Sequence, residues 1–328
     1  MNIVEKFIDK AQTNPARLVY PEAKDPRILE AAVKVYEQGI AQPILIGEPE
    51  DVYSLAKEMN LSLEGIEIVA SKTDSRLDTY AQAYADKRDL RKAIATKLVR
   101  KPLSFGGMMV SEGAADGMVA GVATATSIVI QTATLTVGFQ AGLSTPSSFF
   151  IMIVPEFQGD SDKIFIFADS AVNIQPNAQQ LAEIAIASGT NARALLGIEP
   201  KIAFLSFSTK GSASHGDADK VMEALDIARQ INPKFDMDGE LQLDAAIIEK
   251  VAAKKVGDSS VAGQANVLVF PDLDSGNIGY KLVQYMANAK AIGPILQGFA
   301  KPVNDMSRGA SVDDLIAVSA ITSVQAKG

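Results

Sequence analysis

The sequence predicts an α/β fold with a largely parallel sheet. Short β-branched runs alternate with longer segments of helical period, the order expected when helices cross between parallel strands. The chain has 328 residues, 47% hydrophobic and 21% charged, the balance of a globular chain with one large or two medium domains. Its longest apolar run, 149–154, is far too short to span a bilayer.

The strand candidates are 17–20, 43–46, 148–153, 163–167, 201–205 and 265–270. The helix candidates lie at about 26–38, 49–58, 75–98, 177–196, 217–230, 243–253, 275–288 and 311–325. The first helix shows the logic. Asp25 can cap it, Pro26 suits its first position, and Ile28, Leu29, Ala32, Val33 and Tyr36 form an apolar stripe that Gly39 closes. Arg27 then sits in the first turn, against the helix dipole. It makes sense there if it meets an anion, or if it pairs on the surface with Glu22 or Glu30. Ser144-Thr145-Pro146 and the stretch from Gln297 to Pro302 break the chain. They suggest a middle domain, 144–296, inserted into a discontinuous first domain, 1–143 plus 297–328.

Composition excludes several functions. Lys plus Arg is 31 against 39 Asp plus Glu, a formal charge of -8. That argues against a general nucleic-acid binder but leaves room for a local basic pocket. There is no cysteine and one histidine, His215, so disulfides, Cys/His zinc sites and a cysteine nucleophile are out. His215 lies in a polar Ser-Ala-Ser-His-Gly-Asp stretch that reads as a solvent-facing loop. No Gly-x-Gly pair and no Walker-type loop occur. Asp272 and Asp274 read as a strand-end turn, since they lack the spaced ligands of a calcium loop; no metal site is expected. Residues 1–6 carry no apolar signal core, and the expectation is a cytoplasmic protein with no membrane partner.

The stretch 298–316 is the most informative. Ser311 followed by Asp314 forms a capping-box pattern ahead of an apolar helix, and Asp313 and Asp314 favour its positive end. Ser307-Arg308-Gly309 is either a tight loop or part of a site.

At this stretch the sequence resembles the phosphate acetyltransferase family, over essentially its whole length. The resemblance rests on Phe204-Leu-Ser-Phe-Ser-Thr-Lys-Gly-Ser-Ala213, Asp238-Gly-Glu-Leu-Gln-Leu-Asp-Ala245, Phe270-Pro-Asp-Leu-Asp-Ser-Gly-Asn-Ile278, Gly293-Pro-Ile-Leu-Gln-Gly298 and Pro302-Val-Asn-Asp-Met-Ser-Arg-Gly309. It implies two three-layer α/β domains around a cleft, a fold similar to that of isocitrate and isopropylmalate dehydrogenases, and a homodimer. It implies reversible acetyl transfer between acetyl phosphate and coenzyme A, giving acetyl-CoA and phosphate, with no cofactor because coenzyme A is a substrate. The family's catalytic carboxylate falls on Asp314, its Ser-Arg pair on Ser307 and Arg308, and its CoA-site arginines on Arg27 and Arg88.

The residue inventory suits that chemistry. A carboxylate can take the proton of an attacking thiol, and Ser307 and Arg308 are suitable donors to a carbonyl or phosphate oxygen. Without Cys, direct attack in a ternary complex is favoured over an acyl-enzyme. The sequence departs from the family after Asp116-Gly-Met-Val-Ala-Gly121, where the usual Arg of the next helix is Gln131; a second departure is Gln264 in place of Lys. Gln131 therefore stands among the expected CoA or phosphate contacts as the changed one. Competing readings are a non-catalytic acetyl-CoA-binding regulatory module, an acyltransferase for a longer acyl group, and a dehydrogenase of the similar fold.

Overall fold

A computed structural model describes residues 3–327. The chain divides into two compact units, Met1–Gln140 with Phe299–Gly328, and Ala141–Gly298. The first unit opens with α1 (Ile3–Thr13), β1 (Ala16–Tyr20), α2 (Pro26–Glu37), β2 (Ala41–Ile46), α3 (Pro49–Glu58) and β3 (Glu67–Val69). It continues with α4 (Leu77–Arg88), α5 (Lys92–Val99), α6 (Pro102–Ser111), β4 (Gly117–Ala120) and α7 (Thr126–Thr136). The second unit holds β5 (Ser147–Phe157), β6 (Asp160–Ala168), α8 (Ala178–Asn191), β7 (Lys201–Leu205), α9 (Gly216–Ile231) and β8 (Asp236–Leu241). It ends with α10 (Leu243–Ile247), α11 (Glu249–Lys255), β9 (Val267–Val269), α12 (Leu273–Met286) and β10 (Lys290–Gln297). The chain then re-enters the first unit with β11 (Val303–Asp305) and α13 (Val312–Lys327).

The first sheet has the order β11-β4-β1-β2-β3 and is parallel throughout. Leu18, Val19 and Tyr20 are all fully buried, so both faces of β1 are covered, as a parallel sheet requires. Buried Asn304 fastens β11 to α13 by donating from Nδ2 to Thr322 Oγ1 and Gln325 Oε1, both at 2.8 Å. The second sheet, β10-β5-β6-β9-β7-β8, is antiparallel at β10, β5 and β6 and parallel beyond. Its core gathers Phe150, Met152, Phe165, Phe167, Leu241 and Phe270, with Tyr280 of α12 stacked on Phe150 at 4.1 Å between centroids.

Helix α2 keeps the expected cap at Asp25 and the left-handed Gly39. Its buried face is wider than the predicted stripe: Ala31 and Val35 are buried, while Tyr36 is 41% exposed. The helix expected over 75–98 breaks at Asp89, which takes a left-handed φ of 52°. The segment 243–253 is two helices, with extended Ile248 between them. His215 is exposed, but it caps α9: its Nδ1 accepts the Asp217 N–H at 3.1 Å. Asp272 caps α12 by accepting the Ser275 N–H at 2.8 Å.

Candidate active site

From β1 the chain moves outward through β2 and β3, then returns to the opposite side of β1 with β4 and β11. The loops after β1 and β4 therefore diverge, which opens a crevice at the carboxyl end of the sheet. Three loops meet there: 21–25 after β1, 121–125 after β4, and 306–311 after β11.

Glu22 joins the first two. Its carboxylate accepts the N–H groups of Gly121, Val122 and Ala123 at 2.8, 3.0 and 3.1 Å. Gly121 has φ +106°, and a Cβ there would lie 2.2 Å from Asp305 Oδ1 and 2.6 Å from the Met306 carbonyl, so only glycine fits. Asp305 itself is 4% exposed. Its Oδ2 accepts the Thr126 hydroxyl at 2.6 Å, and its Oδ1 has no partner. Burial raises the Asp305 carboxyl to about 6; the Thr126 bond opposes the rise and the Glu22 charge adds to it.

Arg27 joins all three loops. Nε and Nη2 fork onto Asp25 at 3.0 and 2.8 Å. Nη1 donates to the carbonyls of Arg308 and Ala310 at 2.8 and 3.0 Å, and Nη2 reaches the Val122 carbonyl at 3.3 Å. The guanidinium beside Asp25 holds that carboxyl below its ordinary value, and Asp25 in turn raises Arg27. The partner is neither Glu22 nor Glu30: Glu30 pairs with Lys34 at 2.8 Å.

Ser307 and Arg308 lie on the β11–α13 connection and Asp314 in the first turn of α13; all three are exposed. Ser307 Oγ accepts the Gly309 N–H at 3.2 Å, and Ala310 N–H closes the turn on the Ser307 carbonyl at 2.9 Å. The Arg308 guanidinium makes no hydrogen bond or ion pair among the described residues. Asp314 is held by the expected capping box. Its Oδ2 accepts from Ser311 N and Oγ at 2.9 and 2.8 Å, and its own N–H donates to Ser311 Oγ at 3.2 Å. Its Oδ1 accepts no hydrogen bond among the described residues.

Arg88 lies elsewhere in the unit. It donates to the carbonyls of Leu135 and Thr134 at 3.0 and 2.6 Å, while Lys87 takes those of Thr136 and Val137 at 2.9 and 3.3 Å. The two cations cap the carboxyl end of α7, as the helix dipole favours. Burial lowers the Lys87 ammonium, and neighbouring Arg88 adds to the shift. Gln131, near the middle of α7, lines a cavity of about 510 Å³ together with Glu22, Tyr84, Lys101, Thr124 and Ile128. A second cavity, about 410 Å³, shares Pro21, Glu22 and Pro102 with it and carries Lys24 and Lys72.

The structure thus places Ser307 and Arg308 on one connection and Asp314 in the first turn of the helix it leads into, with Arg27 bonded directly to that connection. It sets Arg88 at the far end of α7. Sequence reasoning missed Glu22, Asp305 and the forked role of Asp25. An Asp two residues before an Arg at a helix start could have flagged the fork; nothing local marks Asp305.

Residues 2–323 match the model of a family described as "Phosphate acetyl/butaryl transferase". The chain belongs to this family. A phosphate acetyltransferase of Thermoanaerobacterium thermosaccharolyticum is 46% identical over all of both chains. A phosphotransacetylase structure from Streptococcus pyogenes superposes with a TM-score of 0.93 at 40% identity, over 99% of this chain and 98% of that one. The fold alone extends to a 4-hydroxythreonine-4-phosphate dehydrogenase of Burkholderia phymatum, at TM-score 0.55 and 12% identity over 94% and 98% of the chains. Members of the family are acyltransferases.

Proposed function

We propose that this chain is a phosphate acetyltransferase that moves an acetyl group reversibly between acetyl phosphate and coenzyme A. The observation that carries the reading is the succession of Ser307, an Arg308 unpaired among the described residues, and Asp314 along the loop after β11 and the first turn of α13, at the sheet's switch point, in a chain of this family. A free thiol has a pKa of about 8.5, so it is mostly protonated at neutral pH. In our reading the Oδ1 of Asp314 takes the thiol proton as sulfur attacks the acetyl carbonyl carbon. The C–S bond forms, the bond from that carbon to the phosphate oxygen breaks, and the phosphate leaves with the electron pair. The proton passes on to phosphate or solvent. Ser307 and Arg308 donate to the oxygens on which charge gathers. The chemistry needs no metal or cofactor.

In the same proposal Gln131 faces coenzyme A from α7, where it brings a hydrogen-bond donor without charge. Gln131→Arg should lower the KM for coenzyme A, measured by two-substrate kinetics at fixed ionic strength. Arg27 spends all five N–H groups on protein carbonyls and Asp25, so a direct coenzyme contact from it would require those bonds to open, whereas Arg88 engages only Nε and Nη2, with the carbonyls of Leu135 and Thr134.

A cytoplasmic homodimer completes the reading. Among the described residues no helix is long and apolar enough to cross a membrane. Helix α12 turns Tyr280 and Val283 to its unit's core and leaves Ile278, Leu282, Tyr285 and Met286 on the opposite face, 51–80% exposed. Such a stripe suits a self-complementary contact with a second copy. Leu282→Glu should shift the sedimenting species to the monomer.

Thioester formation from acetyl phosphate and coenzyme A, followed by absorbance, tests the whole reading. Product should require both substrates. Acetyl-CoA binding by folded protein without turnover in either direction would leave only a regulatory module.

A further inference from the structure

We propose that Arg27 is a positioning residue for acetyl transfer: it fixes the loop that carries Ser307 and Arg308 and leads to Asp314, instead of gripping a phosphate of the coenzyme. This rests on the proposed function and assigns the work of one residue within it.

A guanidinium has five N–H donors and no acceptor. All five of Arg27's point at acceptors within the first unit: two at Asp25, one at Val122, one at Arg308 and one at Ala310. Its charge is matched by the Asp25 carboxylate, which takes it in a planar fork. A phosphate could be gripped only by breaking that set.

The loop depends on the same set. Met306 N–H ties the end of β11 to the Ala120 carbonyl at 2.7 Å, and Ser311 begins the cap of α13. Between them, the remaining bonds of Ser307, Gly309 and Ala310 are local, Gly309 N–H to Ser307 Oγ and Ala310 N–H to the Ser307 carbonyl. Among the described residues, the only hydrogen bonds from residues 307–310 to anything outside that stretch end on Arg27. The two carbonyls it holds belong to the 308–309 and 310–311 peptides, so the clamp fixes the planes on either side of the Gly309–Ala310 pair, which includes the most permissive residue of the loop. Ala310 leads straight into Ser311, whose N–H and hydroxyl hold Asp314. One guanidinium therefore sets the loop of the Ser-Arg pair and the approach to the carboxylate. Glu22 anchors the other end of the clamp by fixing the 121–123 backbone, whose Val122 carbonyl Arg27 also takes.

Asp25→Asn separates positioning from direct contact because the two roles predict opposite results. Asparagine still caps α2 but loses the charged fork. If Arg27 positions the loop, kcat falls. If Arg27 binds the coenzyme, releasing its charge from Asp25 leaves the KM for coenzyme A unchanged or lower and kcat intact.

The experiment combines two-substrate kinetics with amide hydrogen exchange on Arg27→Ala, Arg27→Lys, Asp25→Asn and Arg76→Ala, the last an Asp-paired arginine outside the three loops. We expect kcat to fall about 10- to 100-fold in both Arg27 variants, since small misplacements of reacting groups cost up to that much. Lysine should rescue little, because it lacks the planar fork. Asp25→Asn should lose less in the same direction, the KM for coenzyme A should stay within about threefold in all three, and exchange should quicken over 120–125 and 306–312. Arg76→Ala should match wild type. A KM for coenzyme A raised tenfold or more in Arg27→Ala at unchanged kcat, with Asp25→Asn and the exchange rates as wild type, would overturn the proposal. If the wild-type protein forms no thioester, the proposed function fails by itself. The exchange data then decide the clamp: faster exchange over 306–312 in the Arg27 variants supports it, and unchanged exchange overturns it.

Discussion

Asp25-Pro26-Arg27 and Asp74-Ser75-Arg76 are built alike. In each the aspartate accepts the backbone N–H of the arginine two residues on, at 3.0 and 2.9 Å, and takes Nε and Nη2 in a fork. Both arginine side chains are 31% exposed. They differ in what the rest of the guanidinium reaches. Arg76 meets Glu67 at 3.6 Å, near the amino end of the three-residue β3. Arg27 meets three carbonyls of two other loops at the carboxyl ends of β4 and β11. The fork is a local device that aims the remaining donors; the sheet topology decides whether they find a site. Local sequence pattern therefore finds the device, and only the strand order tells which copy matters.

The largest break removes what the Arg27 turn ultimately supports. Asp314→Asn keeps an acceptor for Ser311 but no base, and turnover should fall about 10²–10⁴-fold with little change in stability. A folded variant with near-normal turnover would reduce Asp314 to its capping role.

Exchanging each arginine for lysine sharpens the comparison directly. Arg27→Lys should lose turnover while Arg76→Lys keeps it, in the same assay on the same day. Equal losses would mean that both turns act through general stability.

Behind the Arg27 turn, Asp305 offers a test by pH. Its folded value is about 6 against an ordinary 3.8, so the folded chain holds a proton that the unfolded chain releases between those values. The stability this group contributes is complete below about pH 4 and lost as the pH rises through 6. Asp305→Asn should therefore flatten that slope and be more stable than wild type at pH 8, by about 1–3 kcal/mol at 1.36 kcal/mol per pKa unit. Urea unfolding at pH 4 and pH 8 measures it. A variant less stable than wild type at pH 8 would show that the Thr126 bond outweighs the buried charge. The smallest effect belongs to Asp74→Asn, which should cost about 1 kcal/mol or less and leave kcat alone.

Much of this architecture was legible from pattern. Helix α2 carried its cap, its proline and its closing glycine in the chain, and the structure keeps all three. The capping box at Ser311 and Asp314 was legible for the same reason: its partners are three residues apart. Strands β4 and β11 were not, because four and three residues show no alternation. They are strands because buried neighbours pair with them, not by propensity. β8 was hidden by its composition, Asp236-Met-Asp-Gly-Glu-Leu241. Its Asp238 is tolerated in a buried position by Lys210 and Ser259, and its Glu240 by Ser208 and the Gly211 N–H. At the site, the resemblance supplied Ser307, Arg308 and Asp314, but the contacts of Arg27 join residues 283 apart and leave no mark in a local window.

The strand order also sets a timetable. β4 is made long before its neighbour β11, because all of 141–298 is translated between them. At 5–20 residues per second that interval is roughly 8–30 s. During it the buried strand Gly117–Ala120 has one unpaired edge, the kind that invites pairing with another chain. The second unit is therefore translated while the first still lacks its last strand, and the loop at 306–311 cannot take its place until the final segment has closed that edge.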